Sequence, residues 1–115
     1  MPVGDAPADA RMSPAGRSAV AARDRPLWMS LEPIVAAGRP DGAPIRVLDC
    51  GGGSGSLAVP LARRGAHVTV LDASADALAT LARRAHDAGV GDSIRGVQGD
   101  IEEAAALLAS SDGAR

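Results

Sequence analysis

The sequence has 115 residues, enough for one domain of ordinary size and too few for two. It is 46% hydrophobic and carries a net charge of −2 without a single lysine, which argues against a basic nucleic-acid-binding surface. One cysteine excludes an internal disulfide and favours a reducing, cytoplasmic compartment, and no apolar run approaches the roughly 18 residues of a membrane span. Trp28 is the only aromatic residue, so we expect a core of alanine, leucine and valine.

The first 44 residues divide into a leader, a helix and a linker. Residues 1–26 contain four prolines and no apolar periodicity, which predicts a disordered leader without a function. Apolar residues recur at helical spacing over residues 27–37, and this helix should begin near Ser30 or be kinked at Pro33. Residues 38–44 are rich in glycine and proline and predict a turn-rich linker.

From residue 45 onwards the pattern alternates between strands and helices. Short β-branched runs predict strands over residues 45–48, 67–71 and 94–98, each followed by a helical apolar stripe. This β-α-β-α-β-α order predicts an α/β fold, with parallel strands, right-handed crossovers and flanking helices.

A glycine-rich loop, residues 49–56 (DCGGGSGS), joins the first strand to the next helix. Glycines without a Cβ let a ligand lie directly against the backbone at the carboxyl edge of the sheet. Asp72 ends the second strand 21 residues after Gly51, the spacing expected for a carboxylate that binds ribose hydroxyls. Asp100 follows the third strand, so three carboxylates with Asp49 should line one edge and reach one nucleoside-sized ligand.

The same loop disfavours a dinucleotide such as NAD. The dinucleotide fingerprint requires a third glycine or an alanine where this sequence has Ser56. Asp49 also places a negative charge at the mouth of the loop, which repels a pyrophosphate and favours a cationic ligand.

Residues 45–101 resemble the first half of a class I S-adenosylmethionine-dependent methyltransferase. The resemblance implies a Rossmann-like parallel sheet with three of the usual seven strands, transferase activity, and S-adenosylmethionine as the cofactor. It also implies that Gly51, Gly52, Gly53 and Gly55 surround the methionine part of that cofactor.

The resemblance implies further site residues. It does not identify a catalytic base in this sequence. It implies that Asp49 meets the ammonium group of the cofactor and that Asp72 binds the ribose hydroxyls, with Ala73 beside it. Asp100 would bind the adenine amino group, and Ile101 would pack on the ring.

The resemblance also sets the expected domain organisation. Residues 1–26 are expected to be the leader, residues 27–44 a helix and linker, and residues 45–115 a partial cofactor-binding domain. The family's fourth strand would begin soon after residue 110, so we expect a fragment that lacks the acceptor side and transfers no methyl group alone. The first strand would then lie at an exposed sheet edge, through which copies of the chain could associate.

Several interpretations stay open at this point. The methyl acceptor could be a tRNA or a small molecule. Within the family, the sequence resembles small bacterial methyltransferases most. The alternatives to an enzyme are a nucleoside-binding module without turnover and, less favoured, an NAD-binding domain. Each of the three carboxylates has a plainer interpretation as a turn or helix-start residue.

The remaining polar and aromatic residues carry no predicted chemistry. Cys50 is expected to be a small buried residue beneath the loop, and Trp28 a packing residue rather than a lid. Two histidines and one cysteine are too few for a metal site. The residues expected to be solvated are His67, His86, Arg63, Arg64, Arg83 and Arg84.

Overall fold

The computed structural model describes residues 20–113, apart from the side chains of residues 101, 107, 108 and 111–113. Short 3-10 turns, Ala22–Asp24 and Gly91–Ser93, precede the first helix and the third strand. No helix in this range is both long enough and apolar enough to cross a membrane. In chain order the elements are α1 (Arg25–Ala37), β1 (Arg46–Cys50), α2 (Ala58–Arg63), β2 (His67–Asp72), α3 (Ala75–Asp87), β3 (Ile94–Gln98) and α4 (Ile101–Gly113).

The three strands form a parallel sheet in the order β1-β2-β3. This confirms the predicted α/β class, since each parallel neighbour is reached through a crossover helix. In the register, Cys50 lies opposite Leu71 and Asp72 lies opposite Gln98, so the carboxyl ends of all three strands share one edge. Within the described sheet β1 pairs only with β2, which leaves the other side of β1 as an edge, as expected.

The core is made of alanine, leucine and valine, as the composition predicts. Ala58 and Ala62 of α2 pack with β2 in one buried cluster, which Val35 of α1 also joins. The largest fully buried side chains are Leu61, Leu71, Leu81, Val68 and Val70.

The predicted leader extends too far along the chain. Residues 20–26 of it include the 3-10 turn and the start of α1, which begins at Arg25. Pro26 lies in the first turn of α1, where an N–H donor is not needed and the fixed φ of proline suits a helix. Residues 1–19 of the predicted leader lie outside the described residues.

The predicted helix start near Ser30 is wrong, because α1 begins at Arg25 and contains Pro33 in its interior. The alternative, a kink at Pro33, stays a prediction. Trp28 is half-buried against the core cluster, and the Arg64 guanidinium carbon lies 5.7 Å from the centre of its ring. Arg64 also lies 3.7 Å from the carboxylate of Glu32, one turn along α1. The structure therefore gives Trp28 a packing role, and Arg64 joins α2 to α1 instead of standing free in solvent.

Candidate cofactor site

The loop between β1 and α2 is fixed at both ends by backbone hydrogen bonds. The Gly51 N–H donates to the carbonyl of Leu71 at 2.7 Å, which ties the start of the loop to the end of β2. The Val59 N–H donates to the carbonyl of Gly55 at 3.0 Å, which continues the loop into α2. The loop is therefore positioned by the sheet before any ligand binds.

Two of the loop glycines face open space. A Cβ at Gly51 would have no neighbour within 4 Å, and one at Gly53 would meet only Oδ2 of Asp72, at 3.8 Å. Both have a positive φ, +75° and +60°, which side-chain-bearing residues adopt only with strain. The backbone at Gly51 and Gly53 therefore faces open space beside Asp72. The cofactor prediction requires such an open stretch of backbone.

The other two loop glycines are closed in by the protein itself. A Cβ at Gly52 would overlap the Asp49 carboxylate. A Cβ at Gly55, which is buried, would lie 2.6 Å from Cδ1 of Leu81 and 3.3 Å from Cγ2 of Val59. Gly52 and Gly55 thus lack side chains for packing reasons, and their predicted place around the cofactor stays a prediction.

Both carboxylate oxygens of Asp72 accept backbone hydrogen bonds. Oδ2 accepts from the Gly53 N–H at 2.9 Å, and Oδ1 accepts from the Ser74 N–H at 2.8 Å. Asp72 therefore does act as a helix-start residue for α3, the plainer interpretation of its sequence position. Each of its carboxylate oxygens still keeps a lone pair for a ligand hydroxyl. Ala73 is exposed next to it, and its carbonyl accepts from Nε2 of Gln98 at 3.1 Å.

Asp100 caps the helix that follows it. Its Oδ1 accepts from the backbone N–H groups of Glu102 at 3.0 Å and Glu103 at 3.2 Å, which satisfies two amides at the start of α4. The side chain of Ile101 lies outside the described side chains. The adenine contacts of Asp100 and Ile101 stay predictions.

The ionised form of Asp49 is disfavoured by its surroundings. It is half-buried, and burial raises its pKa above the ordinary value of 3.8, with the negative charges of Asp24 and Asp72 adding to the effect. A cation bound beside Asp49 would relieve this cost, whereas an anion would increase it. The charge pattern therefore favours the ammonium-binding role predicted for Asp49.

Sequence reasoning missed two side-chain contacts to the loop. Ser56 Oγ donates to Oδ2 of Asp24 at 2.6 Å, and Nη1 of Arg84 donates to Oγ of Ser54 at 3.0 Å. Asp24 was assigned to the leader and Arg84 to a solvated helix face, and both assignments are incomplete. A carboxylate two residues before Pro26 is a helix-start signal that would have placed Asp24 in the fold.

The prediction of a buried Cys50 is wrong. Cys50 is exposed, because it ends the edge strand β1 where the chain turns away into the loop. His67 and His86 are both exposed, as expected. Within residues 20–113, no group of three or more histidine, cysteine, aspartate or glutamate residues could hold a metal ion.

Residues 47–114, more than half of the chain, match the family model of a methyltransferase domain. The chain belongs to the class I S-adenosylmethionine-dependent methyltransferases. The matched range starts within β1 and includes the glycine loop, Asp72 and Asp100. The family resemblance of residues 45–101 is thereby confirmed, and with it the assignment of the sheet as Rossmann-like.

Two curated relatives align with much of this chain. The release factor glutamine methyltransferase of Chlorobaculum tepidum is 42% identical over 76 residues, which are 64% of this chain and 26% of the relative. The tRNA 5-carboxymethoxyuridine methyltransferase of Escherichia coli is 33% identical over 82 residues, 71% of this chain and 31% of the relative. The chain thus spans about a quarter to a third of the length of these relatives.

Solved structures of methyltransferases share the fold. A SAM-dependent methyltransferase from Agrobacterium tumefaciens superposes with a TM-score of 0.61 at 28% identity, over 71% of this chain and 26% of that one. A second, from Thiobacillus denitrificans, was crystallised with S-adenosyl-L-homocysteine. It gives a TM-score of 0.54 at 27% identity, over 72% of this chain and 31% of that one.

Proposed function

We propose that this chain binds S-adenosylmethionine at the carboxyl edge of its sheet, as the cofactor-binding part of a methyltransferase. The observation that carries the proposal is the open backbone at Gly51 and Gly53, with Asp49 and Asp72 beside it. A zwitterionic amino-acid group joined to a nucleoside suits such a site, because it offers an ammonium group and two hydroxyls to carboxylates.

Each residue of the site has a separate binding duty in this proposal. The backbone at Gly51 and Gly53 receives the methionine part, and Asp49 accepts hydrogen bonds from its ammonium group. Asp72 holds the Gly53 amide in place and accepts from the ribose hydroxyls with its remaining lone pairs. Asp100 and Ile101, at the start of α4, contact the adenine.

When bound, S-adenosylmethionine supplies an electrophilic methyl group on its sulfonium sulfur, so the chemistry belongs to the cofactor. The residues of this chain bind the donor and orient it, which is the main protein contribution to a direct transfer. None of the described residues is proposed as a general base.

Two other functions compete with this one. A dinucleotide cofactor is disfavoured because its pyrophosphate would meet the negative charges of Asp24, Asp49 and Asp72. A nucleoside-binding module without turnover shares the same binding site and differs only in activity. The two curated relatives are named for different methyl acceptors, a release factor glutamine and a tRNA uridine. They therefore support S-adenosylmethionine as the methyl donor and leave the methyl acceptor open.

Calorimetry with S-adenosylhomocysteine and with NAD tests the cofactor proposal directly. We expect the 115-residue chain to bind S-adenosylhomocysteine and not NAD. Asp92→Asn removes a carboxylate from an exposed turn before β3. As a control for the loss of one negative charge, it should bind S-adenosylhomocysteine as the wild type does. Binding of NAD without binding of S-adenosylhomocysteine would contradict the proposal.

Transfer of a labelled methyl group separates an enzyme from a binding module. The pure chain is incubated with methyl-labelled S-adenosylmethionine and either bulk tRNA or a protein extract. That the 115-residue chain transfers no methyl group by itself stays a prediction. Labelling of an acceptor would overturn it and would identify the acceptor class.

We also propose that a second copy of the chain pairs along the outer side of β1. The support is that β1 pairs only with β2 in the described sheet, so its other backbone groups are open. Sedimentation should show concentration-dependent dimers that Arg46→Pro abolishes, since proline cannot donate to a ladder and the N–H of exposed Arg46 points away from β2, opposite to the Ile45 carbonyl that bonds β2.

A cytoplasmic location is proposed on the single cysteine, which is exposed and suits a reducing compartment. Cell fractionation of the tagged chain tests it. Recovery in a secreted or membrane fraction would contradict it.

A further inference from the structure

The segment before α1 is joined to the glycine loop by one short hydrogen bond. Ser56 Oγ donates to Oδ2 of Asp24 at 2.6 Å, between residues 32 positions apart in the chain and both partly buried. Asp24 ends a 3-10 turn that its own N–H closes onto the carbonyl of Ala21 at 2.9 Å. A hydrogen bond to a carboxylate is about twice as strong as one between neutral groups, so this contact can hold both segments.

Ser56 lies where the loop becomes helical. The next residue, Leu57, is buried and is the N-cap of α2, and no side chain caps that helix. The Gly55 N–H, next to Ser56, donates to the carbonyl of Gly52 at 3.3 Å, which links this end of the loop to the residue before Gly53. We therefore expect the position of Ser56 to influence the backbone at Gly53, where the ligand would lie.

We propose that Asp24 is a positioning residue of the cofactor site, which holds the loop through Ser56 and adds its negative charge to the carboxylates that face the loop. The inference rests on the proposed function, since it names a residue outside the glycine loop and strand ends that serves the same site. It assigns a binding role to the segment before α1.

The charge of Asp24 acts on Asp49 as well. The charged groups that act on Asp49 are the carboxylates of Asp24, from the segment before α1, and of Asp72, at the end of β2. After burial, Asp24 is the larger of these two influences in raising the pKa of Asp49. Removing the charge of Asp24 therefore lowers the pKa of Asp49 and lets it stay ionised at lower pH.

Three single variants of the full chain, together with the Asp24→Ala/Ser56→Ala double variant, separate these two effects. Asp24→Asn keeps an oxygen that accepts from Ser56 but removes the charge, and Ser56→Ala removes the hydrogen bond but keeps the charge. Asp24→Ala removes both. Binding of S-adenosylhomocysteine is measured by calorimetry across a pH series, and amide exchange at Gly55 and Val59 is measured without ligand.

We expect Ser56→Ala to weaken binding by about three- to tenfold at neutral pH and to speed exchange at Gly55 and Val59, because one charge-assisted bond is lost. The pH at which its binding falls off should stay that of the wild type. Asp24→Asn should move that pH downwards. Asp24→Ala should show both changes, and the Asp24→Ala/Ser56→Ala pair should bind no more weakly than Asp24→Ala alone.

Failure of this inference differs from failure of the proposed function. If the wild type binds S-adenosylhomocysteine and Asp24→Asn leaves the pH profile unchanged, the electrostatic role of Asp24 is wrong. If Ser56→Ala alters neither binding nor loop exchange, the positioning role is wrong. If the wild type does not bind at all, the proposed cofactor site fails, whereas the exchange data still decide whether Asp24 holds the loop.

Discussion

The backbone N–H of Gly53 donates to Oδ2 of Asp72 at 2.9 Å, which joins the loop after β1 to the end of β2. The same carboxylate accepts from Ser74 at the start of α3. One side chain therefore holds the loop and the start of α3, and in the proposed function it also accepts from the ribose hydroxyls. Stability and cofactor affinity should be coupled at Asp72.

Asp72→Ala should lower the free energy of unfolding by about 1–3 kcal/mol even without ligand, because two amides lose a charged acceptor. Binding of S-adenosylhomocysteine should weaken by a further 1–3 kcal/mol, approximately, because two hydroxyls lose their acceptor. Urea unfolding and calorimetry measure the two losses, with exposed Asp92→Ala as the control. Unchanged binding by a folded Asp72→Ala protein would contradict the ribose role.

Substitution of an open loop glycine should abolish binding of S-adenosylhomocysteine while leaving the protein folded. Gly51→Ala places a methyl group in the open space at the loop, so we expect a folded protein that no longer binds S-adenosylhomocysteine. Gly89→Ala is its matched control, since both glycines have a φ of +75° with nothing near the Cβ position. Both substitutions should cost about 1–2 kcal/mol of stability from left-handed strain, but Gly89→Ala should keep binding.

Gly55→Ala should destabilise the fold more than either. It combines the strain of a φ of +94° with overlap against Leu81, which is fully buried and has little room to move. Overpacking adds about 1–3 kcal/mol to the strain. Thermal unfolding of the three variants ranks them, and equal losses at Gly51 and Gly55 would be inconsistent with this structure.

Asp49→Asn should stabilise the ligand-free protein and weaken cofactor binding. Because folding raises the pKa of Asp49 above 3.8, ionised Asp49 opposes folding at neutral pH, and this cost disappears as pH falls through the folded-state pKa. The variant should therefore melt higher than the wild type at pH 7, with the difference shrinking towards acid pH. Its affinity for S-adenosylhomocysteine should fall about ten- to hundredfold, from loss of a charge-assisted hydrogen bond.

Equal melting temperatures at pH 7 would show that Asp49 carries no electrostatic cost. Asp92→Asn is a suitable control, because Asp92 is exposed in the turn before β3.

Trp28 should report the contact between α1 and α2. Arg64→Ala removes the guanidinium from the tryptophan ring and should cost about 0.5–1 kcal/mol, as expected for a cation–π pair whose cation is exposed. In Arg64→Ala the fluorescence spectrum of Trp28, the single tryptophan of the chain, should differ from that of the wild type. Arg83→Ala on α3 should leave the spectrum unaltered. Identical spectra in the two variants would contradict the contact.

The class of fold and the glycine loop could be predicted because they depend on local patterns. Short β-branched runs alternating with helical stripes require a parallel α/β sheet, and this prediction was confirmed. Asp49, Asp72 and Asp100 follow consecutive strands, so a parallel sheet brings them to one edge whatever the rest of the chain does. The N-cap at Ser74, which accepts from Ala77, was predictable for the same reason.

Contacts between residues distant in the chain could not be predicted. No local pattern links Asp24 to Ser56 or Arg84 to Ser54, because these pairs are set by how α1 and α3 pack beside the loop. The exposure of Cys50 likewise depends on where β1 ends, since the strand runs to Cys50 itself, two residues beyond the predicted end at residue 48.

The sequence by itself predicted the parallel sheet and the carboxylates at its edge, because periodicity and glycine spacing restrict the backbone locally, and the resemblance of residues 45–101 indicated the family. Only the tertiary structure decided which glycines are open to a ligand and which are closed by Leu81 or Asp49. It also placed Asp24 within hydrogen-bond distance of Ser56 and near Asp49, since such contacts depend on distance in space and not on separation in the chain.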